Sequence, residues 1–133
     1  MRVSDLMQGD LEAISSDTSI ADVYVTLAES RMSALPVVDG AGRLVGVISK
    51  TDIVASEEDA EGEAARAALF ETRLVRDLMT SPALTVAADA SIQTAAQQML
   101  IAGVHRLFVV ADERAIGVIS VTDILAAVAD GRL

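Results

Sequence analysis

Apolar residues recur along this chain with two alternating periods. Ile20, Val23, Tyr24, Leu27 and Ala28 stand at i, i+3, i+4, i+7 and i+8, and Ile92, Ala95, Ala96, Met99 and Leu100 repeat that spacing. Each set predicts a helix with one buried face. Asp17 to Ser19 and Asp89 to Ser91 offer the N-caps. Between the helical stretches lie short β-rich runs: Ala13-Ile14, Leu35 to Val38 and Leu44 to Ser49, then Thr85-Val86, Leu107 to Val110 and a run ending at Ser120. Asp39-Gly40-Ala41-Gly42-Arg43 joins two of these runs, and its glycines permit the tight reversal of a hairpin. The matching turn, Ala111 to Ala115, has no glycine, which leaves its conformation open. Second helices are predicted from Thr51-Asp52 and Thr122-Asp123, the latter ending at Gly131 in a C′ position. The element order is β-α-β-β-α, twice, an α+β pattern.

The order repeats because the sequence repeats. Val3-Ser4-Asp5-Leu6-Met7 returns as Val75-Arg76-Asp77-Leu78-Met79, an offset of 72 residues. Leu35-Pro36-Val37-Val38 returns as Leu107-Phe108-Val109-Val110. After a one-residue gap, Gly46-Val47-Ile48-Ser49-Lys50-Thr51-Asp52-Ile53 matches Gly117-Val118-Ile119-Ser120-Val121-Thr122-Asp123-Ile124, differing only at Lys50 against Val121. Such a period exceeds solenoid units and indicates a duplicated pair. Residues 1–56 form repeat one, 57–74 an acidic linker that becomes helical, and 75–133 repeat two.

Composition removes several function classes. Hydrophobic residues make up 52% of the 133, but no apolar run approaches the roughly 18 residues of a membrane helix. The N-terminal segment lacks the apolar core of a secretory signal, so the expected compartment is the cytoplasm. With no cysteine and a single histidine, disulfides, thiolate catalysis and Cys- or multi-His metal sites are excluded. A net charge of −10, with Lys50 the sole lysine, disfavours nucleic-acid backbones. Gly40-Ala41-Gly42 is no dinucleotide fingerprint, because the third glycine position is Val45 and the segment joins two strands. Glu57 to Gly62 resembles the opening of a calcium loop, but the twelfth position is Ala68, which has no carboxylate. No nucleophile-base-orienter set can be assembled, so no catalytic residue and no metal ligand is expected.

The segment that carries chemistry is Gly-Val-Ile-Ser-x-Thr-Asp-Ile. A buried strand runs out through a serine into a Thr-Asp pair that opens a helix. A helix N-terminus suits a phosphate, and a nearby carboxylate can accept hydrogen bonds from ribose hydroxyls. The competing reading is that these Ser, Thr and Asp side chains merely cap the helices. Both copies keep Ser and Asp in fixed register with the glycine, whereas a cap is expected to need only one of them.

Together these residues resemble the cystathionine-β-synthase-type (CBS) domain family over nearly the whole chain: the leading Val-x-Asp-Leu-Met, the Leu-Pro-Val-Val-Asp strand, and Gly46, Ser49, Asp52 with Gly117, Ser120, Asp123. The resemblance implies two repeats packed as a pseudo-two-fold pair with two clefts, dimerisation of such pairs, and a regulatory ligand drawn from AMP, ADP, ATP or S-adenosylmethionine. No tightly bound cofactor is implied. Carried over to this sequence, Asp52 and Asp123 meet ribose hydroxyls, with Ser49, Thr51, Ser120 and Thr122 near ribose or phosphate. Ile14, Ala34, Leu35 and Pro36 wall the base in one copy, and Val86, Leu107 and Phe108 in the other. His105-Arg106 is similar to a phosphate-meeting His-Arg pair in the gamma subunit of AMP-activated protein kinase; an ordinary half-buried histidine is the alternative. Repeat one departs here, with Ser33-Ala34 at those positions and only Lys50 as a candidate cation. So little positive charge holds a polyphosphate weakly unless Mg²⁺ accompanies ATP, which ranks AMP and S-adenosylmethionine first. The implied role is a ligand sensor, a homodimer acting on an enzyme or transporter in a separate chain, with no nucleic-acid or membrane partner. The alternative is a ligand-free dimerisation scaffold.

Overall fold

The computed structural model describes residues 1–9, 11–30, 33–58 and 61–133. In chain order the elements are α1 (Val3–Leu6), β1 (Ile14–Ser15), α2 (Ile20–Glu29), β2 (Ala34–Val38), β3 (Leu44–Ser49), α3 (Lys50–Glu58), α4 (Gly62–Thr72), α5 (Val75–Leu78), β4 (Thr85–Ala87), α6 (Ile92–Ala102), β5 (Arg106–Ala111), β6 (Arg114–Ser120) and α7 (Val121–Ala129). The β-α-β-β-α order is present twice. Asp59 and Ala60, within the acidic stretch and the calcium-like run, lie outside the described residues; helix is described on both sides of them.

The chain divides into two compact units, Glu12–Ala83 and a second made of Met1–Leu11 with Leu84–Leu133. Each leading Val-x-Asp-Leu-Met segment therefore joins the unit built on the other repeat. In the first unit β1 runs parallel to β2, which pairs antiparallel with β3. Ile14, Ile20, Val23, Leu27, Leu35, Val37, Ile48, Ile53 and Val75 fill its core. In the second, β4-β5-β6 repeats the topology around Val3, Leu6, Val86, Ile92, Ala95, Met99, Leu107, Val109, Ile119 and Ala127.

The leading motif is legible residue by residue in this packing. Val3 and Val75 are fully buried. Their backbones donate to Ala90 O (2.9 Å) and Thr18 O (2.8 Å) respectively. Asp5 and Asp77 each cap their own short helix, accepting from the N–H of Arg2 (2.8 Å) and Leu74 (3.0 Å). Met7 and Met79 then lie against Gly117 and Gly46. A β-carbon on Gly46 would stand 2.7 Å from the Thr80 carbonyl, and one on Gly117 2.7 Å from that of Gln8. The glycine of the Gly-Val-Ile-Ser motif is thus required by the approach of the leading segment.

One expectation needs correction, and one open turn gains a conformation. The buried helix stripes are narrower than the periodicity suggests. Ile20, Val23 and Leu27, and Ile92, Ala95 and Met99, are buried, whereas Tyr24, Ala28 and Leu100 are exposed, because only one side of each helix meets its core. The glycine-free turn is a two-residue reversal in which Asp112 (φ 51°) and Glu113 (φ 67°) both take left-handed backbone, the geometry that matches strand twist. In repeat one, Asp39 braces its turn instead, accepting from the N–H of Ala41 (2.9 Å) and Arg43 (3.0 Å). The Arg43 N–H foremost, then the Ala41 N–H and the Arg43 guanidinium, hold the Asp39 carboxyl below the usual carboxylate range despite the cost of burial. At the chain end Gly131 (φ 74°) closes α7 as expected, with Gly131 N donating to Val128 O and Arg132 N to Ala127 O.

Candidate functional site

Each unit turns from strand into helix through a reciprocal capping box. In the second unit Ser120 Oγ accepts from Asp123 N (3.1 Å), and Asp123 Oδ2 accepts from Ser120 N (2.8 Å). In the first, Ser49 Oγ accepts from Asp52 N (3.1 Å), and Asp52 Oδ2 accepts from Ser49 N (2.9 Å) and from Ser49 Oγ (3.0 Å). The expectation that a cap needs only one of these residues is therefore corrected, since both members act on both helices. Retention of Ser and Asp in both copies is explained by the helix starts alone.

The second carboxylate oxygen of each aspartate meets a residue that sequence reasoning missed. Gln8 Nε2 donates to Asp123 Oδ1 at 3.1 Å, and Thr80 Oγ1 donates to Asp52 Oδ1 at 3.2 Å. Gln8 and Thr80 are equivalent positions of the two leading segments, each following the methionine. Each is also fixed by a two-way backbone bridge, Gln8 with Val118 and Thr80 with Val47, at 2.8–3.0 Å. The available signal was the position itself, one residue beyond a repeated motif, but nothing local connects position 8 to position 123.

A carboxylate has about four acceptor positions, two on each oxygen. Asp123 receives one protein hydrogen bond on each oxygen, which leaves one position on each for a bidentate diol. Asp52 receives two on Oδ2 and one on Oδ1, which leaves one position on Oδ1. Both are half-buried.

Other residues named from the sequence gather near these junctions through strand register. Ala34 pairs with Ser49, and Arg106 with Ser120. Lys50 N donates to Ser33 O (3.2 Å), and Val121 N to His105 O (2.9 Å). His105, Arg106, Thr51, Thr122 and Lys50 are exposed; Ala34 and Phe108 are half-buried; Pro36 is buried. Ile14, Leu35, Val86 and Leu107 place their side chains in the two cores. Lys50 lines a groove of about 310 Å³ between α2 and α3, with Leu27 and Ile53 in its walls. His105 lines the equivalent groove between α6 and α7, about 410 Å³, with Met99 and Ile124. Among the described residues no group of three or more His, Cys, Asp and Glu side chains could hold a metal ion. No helix among them is long and apolar enough to cross a membrane.

Comparison with known proteins gives this geometry a context. The chain is 30% identical over 125 residues to inosine-5′-monophosphate dehydrogenase of Methanocaldococcus jannaschii, covering 93% of this chain and 23% of that enzyme. It spans less than half the length of the first three curated relatives it matches. CBS domain-containing protein CBSX2, chloroplastic, of Arabidopsis thaliana is 28% identical over 141 residues, covering 89% of this chain and 59% of that protein. A crystal structure of CBSX2 in complex with AMP superposes with a TM-score of 0.79 at 29% identity, covering 99% of this chain and 98% of that one. The CBS domain pair of protein MJ0100, solved with 5′-methylthioadenosine and S-adenosyl-L-methionine, shares the fold at 23% identity, with a TM-score of 0.76 and coverage of 100% and 98%. The CBS domain model matches twice, over residues 3–59 and 75–130, and with both halves of its duplication so matched the chain belongs to the CBS domain family.

Proposed function

We propose that this chain is a regulatory module that binds an adenine-containing ligand and signals its presence to a partner protein. The observation that carries the reading is the likeness, along 99% of the chain, to CBSX2, a protein crystallised in complex with AMP. The acceptor positions left on Asp123 and Asp52 support it chemically, since ribose hydroxyls are donors.

In this reading Asp123 takes a ribose diol through both oxygens, and Asp52 takes one hydroxyl. Ser120, Thr122, Ser49 and Thr51 lie at helix starts, where backbone N–H groups favour an anion. Arg106 supplies the cation of repeat two, with His105 beside it as a phosphate partner, and Lys50 supplies that of repeat one. The base rests against Phe108 in one unit and against Ala34 and Pro36 in the other, with Val86, Leu107, Ile14 and Leu35 as the layer beneath. AMP and S-adenosylmethionine fit a chain of net charge −10 better than ATP, which would bring Mg²⁺ with it. The module works in the cytoplasm as a homodimer and acts on an enzyme or transporter in another chain. We assign it no reaction of its own; the dehydrogenase activity of the archaeal relative belongs to a protein of which this chain spans 23%.

A thermal-unfolding series with AMP, ADP, ATP with and without Mg²⁺, S-adenosylmethionine and adenosine tests this. Ligand at 100 times its Kd adds about 2.7 kcal/mol, a rise on the order of 10 °C for a domain of this size. A selective rise is expected for AMP or S-adenosylmethionine. A flat series would favour a ligand-free scaffold, the reading supported by capping boxes that close entirely within the protein.

A further inference from the structure

Gln8 and Thr80 hold equivalent places, yet they leave different hydrogen-bonding groups beside the two aspartates. Strand pairing fixes where each one stands. Gln8 exchanges backbone hydrogen bonds with Val118, and Val118 pairs with Phe108, so the three residues form one cross-strand row. Leu107 and Val109 point into the core, which puts Phe108 on the other face of the sheet. Val118 and, two positions on, Ser120 share that face with it. Gln8 therefore stands in line with the ring on which the base is proposed to rest. Thr80, Val47 and Pro36 make the equivalent row in the first unit.

The two side chains differ in what remains after each has met its aspartate. Only the nitrogen of an amide can face a carboxylate, so Gln8 Nε2 spends one N–H on Asp123 Oδ1. Among the described residues, its second N–H and its Oε1 have no protein partner. Thr80 Oγ1 spends its single proton on Asp52 Oδ1 and keeps only acceptor positions. A ribose hydroxyl is donor and acceptor at once. Beside Asp123 it finds both complements, an open carboxylate position for its proton and an amide N–H for its oxygen. Beside Asp52 it finds acceptors alone. We infer that Gln8 is a specificity residue of the repeat-two site, its amide acting with Asp123 to select a ligand with an intact ribose diol, and that repeat one, with Thr80 in that place, is the more tolerant of a deoxyribose. This rests on the assignment of Asp123 and Asp52 to the ribose and adds the residue that sets the sugar preference.

Titration calorimetry with AMP, 2′-deoxy-AMP and 3′-deoxy-AMP tests it in an Asp52→Asn chain, which isolates the repeat-two site, with circular dichroism to verify folding. Both deoxy nucleotides are expected to bind about 10-fold or more weakly than AMP. Gln8→Met keeps the length of the side chain and removes the amide; it is expected to weaken AMP about 5-fold or more and to change at least one deoxy nucleotide little, so that the discrimination narrows. Gln8→Thr, which installs the repeat-one residue, is expected to narrow it likewise and serves if Gln8→Met does not fold. In an Asp123→Asn chain, which isolates repeat one, at least one deoxy nucleotide is expected to bind within about 3-fold of AMP. Discrimination unchanged by both Gln8 variants would overturn the inference, and so would an equal loss for all three nucleotides, the mark of a merely structural support. Repeat one rejecting both deoxy nucleotides as strongly as repeat two would overturn the contrast between the sites. An Asp52→Asn chain that no longer binds AMP, beside a wild type that does, would overturn the assignment to repeat two. A wild type that binds no AMP would overturn the adenine-ligand reading and this inference together.

Discussion

The two units were built from one ancestral sequence and now differ where the fold does not constrain them. Both keep the buried valine of the leading segment, the glycine against which that segment packs, and the Ser-Asp capping box. At Gln8 against Thr80, Leu100-Ile101 against Ala28-Glu29, and the Asp112-Glu113 turn against the Asp39-braced one, they have diverged. The shared positions each satisfy a backbone group or close a core contact, so their loss costs stability in either copy. The divergent ones face solvent or complete a site already satisfied locally, so each copy could acquire a separate task. On this account repeat two holds the more open carboxylate, while repeat one has its helix face partly covered by α4.

Several substitutions can break or sharpen that comparison. The largest effects fall where the copies agree. Leu35→Ala and Leu107→Ala each empty a core position that is 0% and 3% exposed, and urea unfolding is expected to show losses of about 2–5 kcal/mol for each. Markedly unequal losses would mean the two cores do not do equivalent work. Gly46→Ala and Gly117→Ala force a carbonyl and a methionine to move, with an expected loss of about 1–3 kcal/mol by the same measurement. Gly40→Ala, with open space around it, is expected to change little.

Smaller effects fall where the copies differ. Glu113→Gly relieves a side chain held in left-handed backbone, and a gain of about 0.5–1 kcal/mol is expected; Gly42→Ala, at φ 82°, is expected to lose about as much. A matching sign for both would contradict the two turn geometries. The smallest effect is pH-dependent. The folded-state pKa of Asp39 is depressed, so its contribution is fully present above the unfolded value near 3.8 and fades as pH falls through the folded value. Asp39→Asn should therefore flatten acid unfolding only below about pH 4, with no counterpart at the Asp112-Glu113 turn.

Much of this is legible in the sequence because repetition exposes what packing requires. The strands, the two long helices of each repeat, the Gly131 terminator and the duplication all follow from period and punctuation, whereas the short helices α1 and α5 do not. Contacts between distant segments are not legible there. Gln8 reaches Asp123 and Thr80 reaches Asp52 because each leading segment packs in the unit of the other repeat, a topology that no local pattern encodes. The apolar period draws the helix stripes too wide for a related reason: spacing alone does not distinguish a residue facing its own core from one facing outward, as Leu100 does. The Ser-Asp register overstates the case for a ligand, because a reciprocal cap uses both side chains.

Titration calorimetry of AMP into the wild type, Asp52→Asn and Asp123→Asn tests the central claim most directly. Each variant keeps the size of the side chain and removes its charge at one junction. The account expects AMP to bind the wild type, with Asp123→Asn losing the tighter event and Asp52→Asn only the weaker one. AMP binding left unchanged by both substitutions would contradict the assignment of these aspartates to the ligand.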